Sequence, residues 1–78
     1  MSDLLKRIVV DPKVMAGKPV IRGTRIPVDA ILHRIAQGAS IDDLLKDYPR
    51  ITRKDIEAAI QYAENLVRGE DTVPEIKA

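Results

Sequence analysis

Apolar positions along this chain change their spacing once, and the change divides it into two parts. Near the N-terminus they come in short β-branched runs: Ile8-Val9-Val10, halted by Asp11-Pro12, then Val20-Ile21 and Ile26-Pro27-Val28 around Arg22-Gly23-Thr24-Arg25. Such runs bounded by turn residues predict strands, and Gly23 supplies the positive φ that a tight reversal needs. The pattern predicts a first strand over 8–10 and a basic-tipped hairpin over 19–28. Pro19 and Pro27 suit strand starts or edges, since neither donates to an interior ladder. Three strands this short must pack on helices or on a second subunit.

From Val28 onward the period becomes helical. Val28, Ile31, Leu32, Ile35 and Ala36 share a face, with Pro27 at the initiating position and Gly38 placed to end the segment. Ser40, with Asp43 three residues on, predicts an N-cap; Ile41, Leu44, Leu45 and Tyr48 form the stripe of a short second helix that Pro49 stops. Thr52 and Asp55 repeat the cap, and Ile56, Ala59, Ile60, Ala63, Leu66 and Val67 run down a third, longest helix to Gly69. Residues 70–78 are polar, aperiodic and read as a flexible tail. The expected fold is mostly α with a small N-terminal β-hairpin or sheet and a tri-helical, helix-turn-helix-like unit of winged-helix or homeodomain-like type. It forms one domain over 1–69, with strands and hairpin over 8–28 and the three-helix unit over 28–69.

Size and composition narrow the classes. A domain of 78 residues buries only about 60% of its unfolded surface, so oligomerisation, most simply a homodimer, is expected. The absence of cysteine excludes disulfides and thiolate metal sites and accords with a reducing compartment. No apolar run reaches the roughly 18 residues of a membrane span, and residues 1–10 lack a signal-cleavage pattern, so a cytoplasmic protein is expected. With no Phe or Trp and only two Tyr, the core must be aliphatic. Net charge is +1, yet residues 1–38 carry seven basic against three acidic side chains, and residues 39–78 six against nine. The N-terminal half can therefore present a positive face to a polyanion, or the asymmetry is ordinary solvated surface.

A short helix, a turn through Pro49-Arg50-Ile51 and a longer helix opening on Thr52-Arg53-Lys54 have helix-turn-helix spacing. In that motif the start of the second helix faces base edges while basic neighbours neutralise phosphates, which singles out Arg50, Thr52, Arg53 and Lys54. Asp42, Asp43, Asp47, Asp55 and Glu57 surround this head and oppose a phosphate. A tri-helical unit also closes a small core with no DNA involved. At the hairpin tip Arg22 and Arg25 flank Gly23-Thr24, so their guanidiniums can grip a phosphate run or a carboxylate cluster, or pair internally with Asp11 or Asp29. Gly17-Lys18 lacks the spacing and hydroxyl of a phosphate loop.

Catalysis has little support. The single histidine, His33, falls mid-helix, Ser2 is terminal and Ser40 is a cap, and adjacent Asp42 and Asp43 point different ways. The expectation is no enzyme, no cofactor and no metal.

The run Gly17-Lys18-Pro19-Val20-Ile21-Arg22-Gly23-Thr24-Arg25-Ile26-Pro27-Val28, with residues 8–12, Gly38-Ala39-Ser40, Tyr48-Pro49, Asp55-Ile56, Ala58-Ala59 and Tyr62-Ala63, resembles the bacterial and archaeal family called domain of unknown function 433. The likeness covers roughly residues 8–63 and implies a hairpin joined to a helix-turn-helix-like unit, as a homodimer. It also implies the antitoxin of a type II toxin–antitoxin pair whose toxin resembles a PIN-domain ribonuclease; it brings no catalytic residues. On this reading Arg22, Thr24, Arg25, Arg50, Thr52, Arg53 and Lys54 contact operator DNA. Arg68 or Lys77, or else Arg22 or Arg25, enters the toxin's metal-binding carboxylates. The other reading is a dimerisation or partner-binding module that never touches DNA.

Overall fold

The computed structural model describes residues 3–69 and 75–76. A 3-10 helix, Asp3–Arg7, leads into strand β1 (Ile8–Val10), which pairs antiparallel with β2 (Pro19–Ile21), matching Ile8 to Ile21, Val9 to Val20 and Val10 to Pro19. Because side chains alternate across a strand, this register gives the sheet two apolar faces. Ile8 and Ile21 join the main core, while Val9 and Val20, also buried, lie on the other face.

Three helices follow: α1 (Val28–Ala36), α2 (Ile41–Asp47) and α3 (Arg53–Arg68). Val28 and Ile31 of α1, Leu44 of α2, and Ile56, Ala58 and Ala59 of α3 close the core over Ile8 and Ile21, and Ile51 plugs the turn between α2 and α3. Both expected capping boxes form. The Ser40 side chain accepts from the Asp43 amide while Asp43 accepts from the Ser40 amide, and Thr52 and Asp55 do the same for α3. Gly69 ends α3 in the left-handed region, where glycine carries no Cβ penalty.

Three details depart from the sequence pattern. The hairpin's second arm is not a strand: Val20 bridges Pro27 once, and Val28 already begins α1. The reversal is instead closed by local bonds. The Ile21 amide donates to the Ile26 carbonyl, and the Thr24 hydroxyl donates to the Ile21 carbonyl and accepts from the Ile26 amide. Pro27 is the N-cap of α1 rather than its first helical residue. Finally, Glu75–Ile76, within the expected flexible tail over 70–78, forms β3 parallel to β1, giving the order β2-β1-β3; the rest of that tail lies outside the described residues. Among the described residues no helix is long and apolar enough to cross a membrane.

Candidate nucleic-acid interface

The reversal after β2 and the turn before α3 are far apart in sequence and meet in space. Arg50 donates from Nη2 to the Gly23 carbonyl at 3.2 Å. Gly23, Thr24, Arg25 and Arg50 thereby line one open cleft of about 350 Å³ together with Val9, Asp11, Val14 and Val20. Arg25 and Arg50 are exposed, and Arg50 keeps further N–H donors beyond the one given to Gly23. Arg22, next to the cleft in the chain, is exposed and donates from Nε to the Lys6 carbonyl at 2.8 Å. Asp29, one of two carboxylates considered as an arginine partner, is bound by Lys18 at 3.1 Å.

The remaining candidates separate. Thr24 and Thr52 use their hydroxyl oxygens within the protein, Thr24 to close the reversal and Thr52 to cap α3. Arg53 lies 3.8 Å from Asp42, and Lys54 lies 3.4 Å from Glu57. Lys54 also lines a second hollow with Asp3, Leu4 and Arg7. Arg68 is exposed in the last turn of α3, where a cation suits the helix dipole. Lys77 lies outside the described residues.

Part of the expected acidic opposition is neutralised. Asp55 is buried, receives the Thr52 amide at 2.9 Å and is paired with Arg7 at 3.1 Å. Asp47 is bonded by Arg34, which raises the guanidinium's pKa. Asp43 accepts from the Ser40 amide, and these bonds hold its carboxyl below its ordinary value. Its charge stays exposed on α2 with that of Asp42.

Sequence patterning did not reveal Asp11, Val9, Val14 and Val20 as lining this cleft. Asp11-Pro12 signals only a turn, and nothing in Val9 or Val20 says which face of the sheet each occupies. A second surface is apolar. Pro19, Val28, Leu32, Tyr62 and Leu66 line a groove of about 260 Å³ edged by Lys18 and Asp29, and burial raises the Tyr62 pKa. Among the described residues no cluster of His, Cys, Asp or Glu is arranged to hold a metal.

A three-helix unit with a short sheet and a basic cleft beside its helix-turn-helix turn defines a small helix-turn-helix-like domain. The model of the family described as protein of unknown function (DUF433) matches residues 8–63, and the chain belongs to that family. A solved DUF433 member from Anabaena variabilis matches it with a TM-score of 0.76 at 38% identity, over 82% of this chain and 63% of that one. The uncharacterized protein y4eO of Sinorhizobium fredii is 36% identical over 63 residues, which is 80% of this chain but 28% of that protein. An uncharacterized protein of Archaeoglobus fulgidus is 77% identical over 26 residues, 33% of this chain and 72% of that one. The chain thus spans under a third of y4eO and less than two thirds of the Anabaena chain.

Proposed function

We propose that this chain is the DNA-binding antitoxin of a type II toxin–antitoxin pair, a cytoplasmic homodimer that represses its own operon and neutralises a PIN-like ribonuclease. The observation that carries the DNA-binding part is the bond from Arg50 to the Gly23 carbonyl, which sets Arg25 and Arg50 on one surface at the turn before α3. Two guanidiniums so placed suit phosphate oxygens. Arg53 and Lys54, at the exposed start of α3, then address base edges and the adjacent backbone. The antitoxin part rests on the family likeness and on a physical argument: a metal held by carboxylates is displaced when a guanidinium or ammonium enters the cluster, a task for Arg68 or Lys77. This reading assigns the chain no catalysis and no cofactor.

The apolar groove between α1 and α3 favours a second reading, a module that only grips another protein. Fluorescence anisotropy with the DNA upstream of its gene, against a scrambled duplex, separates the two. Preferential binding that weakens steeply with salt supports the repressor; equal, salt-insensitive signals on both duplexes favour the module. If a co-expressed ribonuclease stays inhibited after both deletion of 70–78 and Arg68→Ala, the assigned role of Arg68 and Lys77 is wrong.

A further inference from the structure

Helix α3 keeps more apolar surface than its own fold covers. Among the described residues the exposed large hydrophobic side chains are Met15 and three on α3: Ile60, Leu66 and Val67, at 45%, 55% and 87% exposure. Residues three and four apart share a helix face, so Ile60, Ala63 and Val67 form one stripe beside the face that Ile56 and Ala59 give to the core. Leu66 joins this stripe to the groove that it lines with Leu32 and Tyr62.

The stripe is large at both ends and small in the middle, a pattern that matches a reversed copy of itself. When two such helices cross antiparallel at Ala63, Ile60 of each meets Leu66 and Val67 of the other, and the small alanine lets the two backbones approach. A two-fold axis requires this reciprocity, in which one patch contacts the same patch on the second subunit. The antiparallel crossing also opposes the two helix dipoles and keeps the Arg53-Lys54 ends apart. Beside the stripe, Glu57 is paired with Lys54 at 3.4 Å and Glu64 accepts from Gln61 at 2.8 Å. With a net charge of +1, the chain as a whole carries little charge to hold two copies apart.

We infer that a second copy of this chain packs its α3 antiparallel on the Ile60, Ala63 and Val67 stripe, the two helices crossing at Ala63. This locates the homodimer of the proposed function and rests on that part of it, independently of DNA or toxin contact.

Analytical ultracentrifugation and cysteine crosslinking of the full chain test it. The wild type sediments as a dimer, and Ile60→Glu and Val67→Glu each weaken the dimer by about tenfold or more, because a carboxylate is then buried in an apolar seam, while the helix signal is unchanged. The chain has no cysteine of its own, so an introduced one reports without interference. Ala63→Cys, close to the two-fold axis, oxidises to a covalent dimer, and Lys46→Cys, exposed on α2, does so far more slowly under the same mild oxidant. A dimer that withstands both glutamates, or an Ala63→Cys that links no faster than Lys46→Cys, overturns the inference and leaves the homodimer standing. A monomeric wild type overturns both; if Ile60→Glu then weakens the hold on a co-expressed ribonuclease, the stripe belongs to that partner instead.

Discussion

Asp55 performs two tasks with one carboxylate. It receives the amide of Thr52, which completes the cap of α3, and it anchors Arg7 from the N-terminal 3-10 helix, with its side chain only 10% exposed. Removing it leaves the part-buried Thr52 amide without its acceptor and a cation without its partner, so Asp55→Ala is expected to destabilise by about 2 kcal/mol. Urea unfolding checks this, and a loss below about 1 kcal/mol contradicts the role. Ala16 makes the opposite case. Its φ of 56° lies where an L side chain crowds its own backbone. Ala16→Gly relieves that strain at a cost in unfolded-state entropy, so a net gain of up to about 1 kcal/mol is expected in the same assay, and a loss contradicts the strain.

Between elements, the capping boxes join sequence to architecture most directly. The Asp43 carboxyl titrates below its ordinary value because its charged form receives the Ser40 amide and hydroxyl bonds. A carboxyl whose pKa is lower folded than unfolded stabilises fully above its unfolded pKa, and that contribution fades as pH falls through the folded value. Asp43→Asn should therefore lose less stability than the wild type between neutral pH and pH 3, read as the change in Tm; identical acid profiles contradict this. The helices were legible because caps and 3.6-residue periodicity are local: Ser40, Thr52, Pro49 and Gly69 marked where α2 and α3 begin and end. The sheet was only half legible. β1 and β2 showed as β-branched runs, but Ile26-Pro27 looks like a strand until the Thr24 hydroxyl is seen closing the reversal between Ile21 and Ile26. The two-residue β3 has no period to show, and the cleft joins residues from 9 to 50 that no sequence window contains.

Across the whole molecule, two surfaces divide the work. The cleft carries the exposed Arg25 and Arg50, and the groove of Leu32, Tyr62 and Leu66 is apolar; Val67, next to Leu66 in the chain, is 87% exposed. Leucine and valine left this open at the end of α3 suit association, and the proposed homodimer buries them. Leu66→Glu should shift the chain toward monomer in analytical ultracentrifugation without loss of helix signal; an unchanged oligomeric state moves the interface elsewhere.

The central claim is that Arg25 and Arg50, joined through Gly23, form a phosphate-binding surface beside the helix-turn-helix turn. The most direct test compares the salt dependence of duplex binding by the wild type and by Arg25→Ala with Arg50→Ala, using anisotropy over a salt series. Each phosphate engaged adds about 0.9 to the logarithmic slope, so the double variant should bind more weakly with a slope shallower by about 2 for each copy bound. Equal slopes and equal affinities would contradict the account.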